Sequence, residues 1–452
     1  MSEGLEHIGK RDVVWSYAAT FFMVGAGVIL LPFILHKMPA ETVGIWNIFQ
    51  TITALVYLLD FGFRPSFARN ISYIFSGVRE LRREGVTQVE ENTPVDYTLL
   101  RATISAMQRF YRWIALAVFA LLATAGTAYM YYILSKYSGN RTDAIVAWIL
   151  LIAINCYNLY TYYYDALLTG KGYIRRTQQI TILGQSIYLL VAIALIYAGL
   201  GLSAIVAAQL LSTIVRRLIA KRVFFTPQLR TRLAAAPAGN SRAVMQAIMP
   251  NAVKVGLTHL GGFLVNKSSV LIGSAFLTLQ AIASFGITMQ VMQILASCGM
   301  VLYTTYTPRL AQCRAEHNLL QLRRYYRWSV LALLTVYLVG GLAWFFLGDW
   351  ALNLIGSDTI FIPTTMLLLY LLVSFLEQNH ALAAGFIQAD NKIPFFIPSL
   401  LSGAATVLLL YLFLGPLHLG IWGLILAPGL AQLAYQNWRW PYLLIKELRT
   451  AP

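Results

Sequence analysis

The sequence predicts an all-α polytopic membrane protein, with about twelve transmembrane helices in two parallel six-helix repeats around a central cavity. Three observations predict it. Of 452 residues, 58% are apolar and only 12% are charged, against about 25% charged in soluble domains. Apolar windows of about 20 residues recur along the whole chain, each able to cross a hydrocarbon core of ~30 Å as a helix. The hexapeptide at 108–113 (QRFYRW) also returns 215 positions later, at 323–328 (RRYYRW), each copy leading into an apolar run.

The spans follow in order. The first, 13–36, is too long for a signal-peptide core and lacks a small-residue cleavage site, so it reads as a retained anchor. The second, 42–64, closes on LLDFGFRPS. The long segment 65–112 then carries NTPVDYTLLRATISAMQRFYRW, where Thr93 as N-cap, Pro94 at the first turn and Asp96 three residues in are favourable helix-start chemistry. Leu99, Leu100, Ile104, Met107 and Tyr111 recur at helical spacing, predicting a surface-lying helix that runs into the third span, 113–135. The fourth, 143–168, ends in YNLYTYYYD, either an interfacial aromatic belt or a sugar-stacking strip. Spans 176–198 and 201–220 form a tight hairpin. A basic stretch precedes 248–274, the span richest in polar groups. The remaining spans are 278–305, 328–348, 359–387, 393–414 and 419–441. The three cysteines are scattered, without metal-ligand or disulfide-framework spacing, and Asn140-Arg-Thr has sequon spelling that short loops carry by chance.

Charge sets the orientation. With the N-terminus inside, every Lys and Arg lies on inner segments or the adjoining helix ends, except Lys37, Lys136 and Arg141 outside and Lys254 and Lys267 within a span. That asymmetry is the positive-inside pattern and puts both termini in the cytoplasm. It also accounts for the net charge of +16 as topology plus contact with anionic lipids at the cytoplasmic face, rather than as a nucleic-acid surface.

Other segments match six spans apart. RPSFARN (64–70) resembles TPRLAQ (307–312), GKGYI (170–174) aligns with ADNKI (389–393), and LGLSA (200–204) aligns with LGIWG (419–423). The expected organisation is an N-terminal six-helix bundle at 1–225, a cytoplasmic linker at 226–247 and a C-terminal bundle at 248–452. An even number of spans per half makes the repeats parallel, a transporter architecture that works by rocking around a central site.

Ionisable groups within spans cost on the order of 2.5–3.5 kcal/mol each and so mark candidate sites. Lys254 either snorkels to the inner interface or lines the cavity. Lys267 is deeper, inside the quartet Asn266-Lys267-Ser268-Ser269, and is expected to face the cavity. Gly256, Gly261 and Gly262 would let the helix bend enough to align the two lysines. His259 is the nearest titratable group. Asp60 and Arg64, at i and i+4, form either an interfacial latch or a gating pair. Glu377 and His380, at i and i+3, either carry a coupling proton or make a satisfied polar contact. No nucleotide-binding loop, zinc spacing or catalytic triad is present, so no cofactor and no enzymatic activity are expected. The outer loops are also too short for the loop-borne catalytic carboxylate of a membrane polymerase or glycosyltransferase.

The stretches ETVGIWNIFQTITALVYLLDFGFRPSFARNISYIFSG and DALLTGKGYIRRTQQI resemble O-antigen and polysaccharide (Wzx-type) flippases of the multidrug/oligosaccharidyl-lipid/polysaccharide exporter superfamily. The resemblance implies alternating-access translocation of a polyprenyl-pyrophosphate-linked oligosaccharide across the bacterial cytoplasmic (inner) membrane, coupled to H+ or Na+. A polysaccharide polymerase and a chain-length regulator would be its partners. By position, Lys267, Lys254 and Arg64, with Asn266, would attract the pyrophosphate, and Asp60, Glu377, His380 and His259 would serve coupling or gating. Alternatives are a cation or multidrug antiporter of the same superfamily, a peptidoglycan-lipid flippase, for which two further spans find no room, or a membrane-embedded polymerase.

Overall fold

The computed structural model describes residues 10–75, 77–79, 81, 94–315, 319–388 and 394–449, and among them every regular element is helical. In chain order these are α1 (Lys10–Lys37), α2 (Ala40–Leu58), α3 (Phe63–Phe75), α4 (Tyr97–Ser135), α5 (Arg141–Gly170), α6 (Ile174–Tyr197), α7 (Leu202–Phe224), α8 (Pro227–Ala235), α9 (Ser241–Asn266), α10 (Ser268–Phe276), α11 (Leu279–Ala315), α12 (Leu319–Ile355), α13 (Thr364–Gln388), α14 (Phe396–Leu414), α15 (Ile421–Leu433) and α16 (Gln436–Arg449).

Among the described residues, eight helices are long and apolar enough to cross a membrane: α4, α5, α6, α7, the 279–304 part of α11, α12, α13 and α14. The α2/α3 pair, bent by 45°, makes a ninth. The first, seventh and twelfth predicted spans are helical too, the first as α1 and the others as the broken pairs α9/α10 and α15/α16.

The chain divides into two compact units, 1–37 with 53–259 and 38–52 with 260–452. Both α2 and α9 therefore begin in one unit and end in the other. In unit 1 the core gathers Phe67 and Ile71 of α3, Leu100, Met107 and Tyr111 of α4, Leu167 of α5 and Phe224 of α7. In unit 2 it gathers Leu322, Tyr326 and Leu333 of α12, Phe386 of α13, and Trp440 and Leu444 of α16.

The duplicated hexapeptide now has a structural meaning. Buried positions of α4 and α12 coincide at the offset of 215: Met107 with Leu322, Tyr111 with Tyr326, Val118 with Leu333, Leu122 with Tyr337 and Ile133 with Gly348. The two tryptophans that end the hexapeptide, Trp113 and Trp328, are exposed at 67% and 55%, as an interfacial belt requires. Tyr111 and Tyr326 are core, and Tyr325 is half-buried against it.

Three local expectations are corrected. The helix before the third span runs into it as expected, α4 continuing for 39 residues with one π turn at Leu122–Gly126, but it does not lie on the surface. At 1.5 Å per residue it is ~58 Å long, far more than a bilayer core. Its predicted apolar stripe packs into the unit 1 core instead. The cap of α4 is Asp96 itself, whose carboxylate accepts from the backbone N–H groups of Thr98 and Leu99 at 2.8 and 2.9 Å. A carboxylate at an N-cap satisfies orphan donors and opposes the positive helix end. Thr93 and the ADNKI segment lie outside the described residues. Finally, α9 does not break at its glycines. Gly256 lets Phe61 approach, its missing Cβ falling 2.5 Å from the Phe61 Cα, and Gly261 does the same for the Ser399 backbone at 2.6 Å. The interruption comes later, at Lys267.

Candidate functional site

Two polar clusters stand inside the helical units, and each is built where a helix is broken.

In unit 1 two interruptions supply the residues. The turn between α2 and α3 places Phe61 and Gly62 in the left-handed region, at φ 45° and 68°. Glycine adopts it freely but phenylalanine does so at a cost of ~1–2 kcal/mol. The turn frees Asp60, whose backbone carbonyl accepts from Phe63 N–H at 2.9 Å and whose Oδ2 accepts from Arg64 N–H at 3.1 Å. Asp60 thus caps α3, an anion at a helix N-terminus. Its Oδ1 accepts from the buried Tyr111 hydroxyl at 2.6 Å. The expected Asp60–Arg64 pair therefore forms through the Arg64 backbone, because the turn removes the helical register that i, i+4 side chains need. The Arg64 guanidinium turns to Tyr162, donating to its hydroxyl at 2.8 Å and lying 5.1 Å from its ring centroid.

Tyr162 is the second interruption, a single turn residue between Arg141–Thr161 and Tyr163–Gly170 of α5, its own backbone still helical at φ −64° and ψ −24°. Three residues on, Asp165 pairs with Arg217 of α7 at 2.7 Å, the two side chains 17% and 5% exposed. Arg217 also sits 5.7 Å from the Tyr162 ring. Arg216 acts electrostatically on Asp165 as well, and its aliphatic stem packs against Gly184, where a Cβ would collide with it. Tyr163 and Tyr164 are buried in the unit 1 core, Tyr157 and Tyr162 are half-buried and Tyr160 is 43% exposed, so the run divides between core and surface. His259 is exposed and close enough to Asp60 to act on its charge. Lys254 stands in α9, with its side chain outside the described residues.

In unit 2 the interruption is Lys267 itself, at φ −126° and ψ −19° between α9 and α10. Its ammonium reaches Gln293 Oε1 of α11 at 3.5 Å, and it faces the charge of Glu377 on α13. The Asn266 side chain stands within hydrogen-bonding reach of the same carboxylate. Opposite charges sharing one place inside a span offset the desolvation each incurs. A second polar pair completes this unit, Gln290 donating to the buried Asn47 at 2.9 Å. His380 is elsewhere: its Nδ1 lies 2.8 Å from Asn437 Oδ1 of α16 in a buried contact. Glu377 and His380, expected to act together, thus have different partners.

The structure therefore brings Asn266, Lys267 and Glu377 together in unit 2, and Asp60, Arg64 and His259 together in unit 1. Sequence reasoning missed Asp165, Arg216, Arg217, Tyr162 and Gln293. A signal existed for the first three: a carboxylate and two arginines inside otherwise apolar segments need partners.

No family model matches the chain, and no curated protein matches it. Solved structures do. One, described as the inward-facing conformation of a multidrug resistance MATE family transporter of the MOP superfamily, is 14% identical with a TM-score of 0.65 and covers 96% of both chains. A structure of the MATE multidrug transporter DinF-BH is 15% identical with a TM-score of 0.62, covering 100% of this chain and 98% of its own. The lipid II flippase MurJ in an inward closed conformation is 14% identical with a TM-score of 0.62, covering 97% and 88%. At such identities the likeness is one of architecture: this chain has the all-helical fold that MATE transporters and MurJ share.

Proposed function

We propose that the protein is a multi-pass transporter of the MOP superfamily that moves a lipid-linked, anionic oligosaccharide, a polyprenyl-pyrophosphate conjugate, between the leaflets of a bacterial cytoplasmic membrane. Both termini would face the cytoplasm, as the distribution of Lys and Arg favours. The carrying observation is the charge balance of the two clusters: Arg64, Arg216, Arg217 and Lys267 stand against Asp60, Asp165 and Glu377. A cationic excess inside spans suits a pyrophosphate, which guanidinium and ammonium donors bind through charge-assisted hydrogen bonds. Lys267, with Asn266 and Gln293, is the substrate-facing group in this reading, and Glu377 is the group that exchanges its partner with a coupling H+ or Na+. Asp60, Arg64 and His259 form the gating group.

The rival is an exporter of organic cations, for which the carboxylates Asp60 and Glu377 would be the binding groups. Proteoliposomes separate the two. Wild type and Lys267→Ala are compared for the appearance of sugar-labelled lipid-linked oligosaccharide in the opposite leaflet, with an imposed proton or sodium gradient. Translocation by wild type and slow transfer by the folded variant support the flippase. No translocation under either gradient, together with efflux of an organic cation, replaces it with the exporter.

A further inference from the structure

Unit 2 holds a pocket of about 540 Å³ where α12, α13 and α16 meet. Its polar wall is Arg323, Tyr326 and Arg327 of α12, Asn379 of α13 and Arg449 of α16, and none of its described lining residues is a carboxylate. Among the described residues none of the three arginines has a hydrogen-bond or ion-pair partner. Its other wall is apolar and includes Leu331 and Ile445, which are themselves 53% and 39% exposed. A ligand suited to both walls carries negative charge at one end and hydrocarbon at the other.

The corresponding positions of the first repeat are filled differently. Tyr326 has Tyr111 as its counterpart, and in unit 1 the Tyr111 hydroxyl is held by the Asp60 carboxylate. The position that matches Asp60 by the RPSFARN/TPRLAQ alignment is Tyr303, which packs its ring 5.8 Å from Phe386. Arg323 likewise stands where the first repeat has Gln108, a side chain directed at the Tyr163 hydroxyl. Unit 1 answers its tyrosine with an internal anion. Unit 2 has lost that anion and gained an arginine.

We propose that this pocket binds an anionic membrane phospholipid. The headgroup phosphate is held by Arg323, Arg327 and Arg449, whose planar forks match phosphate oxygens, while an acyl chain lies along Leu331 and Ile445. All three arginines stand at the basic ends of their helices, the level at which the proposed orientation places anionic headgroups. The site is separate from the Lys267 cluster and does not depend on what the protein transports.

The test is native mass spectrometry of the full chain in detergent, titrated with phosphatidylglycerol and, separately, phosphatidylcholine. Wild type is expected to retain phosphatidylglycerol selectively. Arg323→Gln/Arg327→Gln/Arg449→Gln should weaken retention at least about tenfold, whereas Arg109→Gln/Arg112→Gln, at the first-repeat copy of the hexapeptide, should not. Leu331→Trp/Ile445→Trp fills the apolar wall with every charge intact and should also expel the lipid, which keeps the test valid if the triple variant does not fold. Equal retention of the two lipids, or undiminished retention by both pocket variants, overturns the proposal. Displacement by millimolar inorganic phosphate would make the site one for a free anion and overturn the lipid assignment. Displacement by a short polyprenyl pyrophosphate at a tenth of the phosphatidylglycerol concentration would make it a docking point for transported lipid, and equally overturn it.

Discussion

Removing either partner of the Asp165–Arg217 pair should destabilise unit 1, and the two removals should not cost the same. At 2.7 Å the gross attraction is about 6 kcal/mol for an effective dielectric of ~20, most of it offset by desolvation of two buried ions. Breaking such a pair from one side typically costs ~3–5 kcal/mol because the other ion stays buried. Arg217→Met leaves Asp165 with Arg216 still acting on it, so its cost belongs at the low end, about 3 kcal/mol. Asp165→Leu leaves two adjacent buried guanidiniums, each with a buried Nε that has no hydrogen-bond partner, and should cost about 5 kcal/mol. The double variant removes both ions and should fall within about 1–2 kcal/mol of wild type. Reversible unfolding in mixed micelles with increasing dodecyl sulfate, followed by tryptophan fluorescence, gives all four corners of the cycle. Costs that simply add in the double variant would refute the coupling. A larger cost for Arg217→Met than for Asp165→Leu would refute the role given to Arg216.

Further outcomes follow from other contacts. Tyr111→Phe strips Asp60 of a buried donor and should cost ~1.5–3 kcal/mol, while Tyr326→Phe, at the pocket wall, should stay within ~0.5 kcal/mol in lipid-free detergent; the same unfolding assay compares them. Gly170→Ala should cost ~1–3 kcal/mol, since the added Cβ would meet the Ala68 carbonyl at 2.5 Å and Ile71 at 2.6 Å. His380→Phe leaves Asn437 without its ring partner and should cost ~1–3 kcal/mol, with transport per folded molecule unchanged. Glu377→Gln should instead slow gradient-driven transport in the proteoliposome assay while the protein remains folded.

The spans were legible because a bilayer leaves few choices: twenty apolar residues must be a helix, and each predicted span has a helical counterpart. The interruptions were less so. At LLDFGFRPS the break carries a glycine that accepts φ 68°, and the sequence shows it. At Tyr162 neither glycine nor proline marks the one-residue interruption. At Lys267 the polar quartet pointed to a protein-lined face, yet the preceding glycines suggested the wrong hinge, because a glycine that admits a neighbour's backbone is written in the same letter as one that bends. The site was half legible for a related reason. Spacing along one helix showed that Glu377 and His380 share a face, but α16 takes the histidine and α9 the carboxylate. Arg216 and Arg217 counted towards topology in the sequence, and only the fold opposes them to Asp165.

The division of the chain carries a consequence for its biogenesis. Residues 38–52 belong to unit 2, whose remaining residues begin at 260. During synthesis at ~5–20 residues per second, that early piece waits roughly ten to forty seconds for the first of its neighbours. Unit 1 is likewise unfinished until residue 259 has left the ribosome. Truncation within 226–240 should therefore give a fragment missing the end of its own unit and holding an orphaned start of the other. Two such fragments, made together, should complement one another where neither accumulates alone.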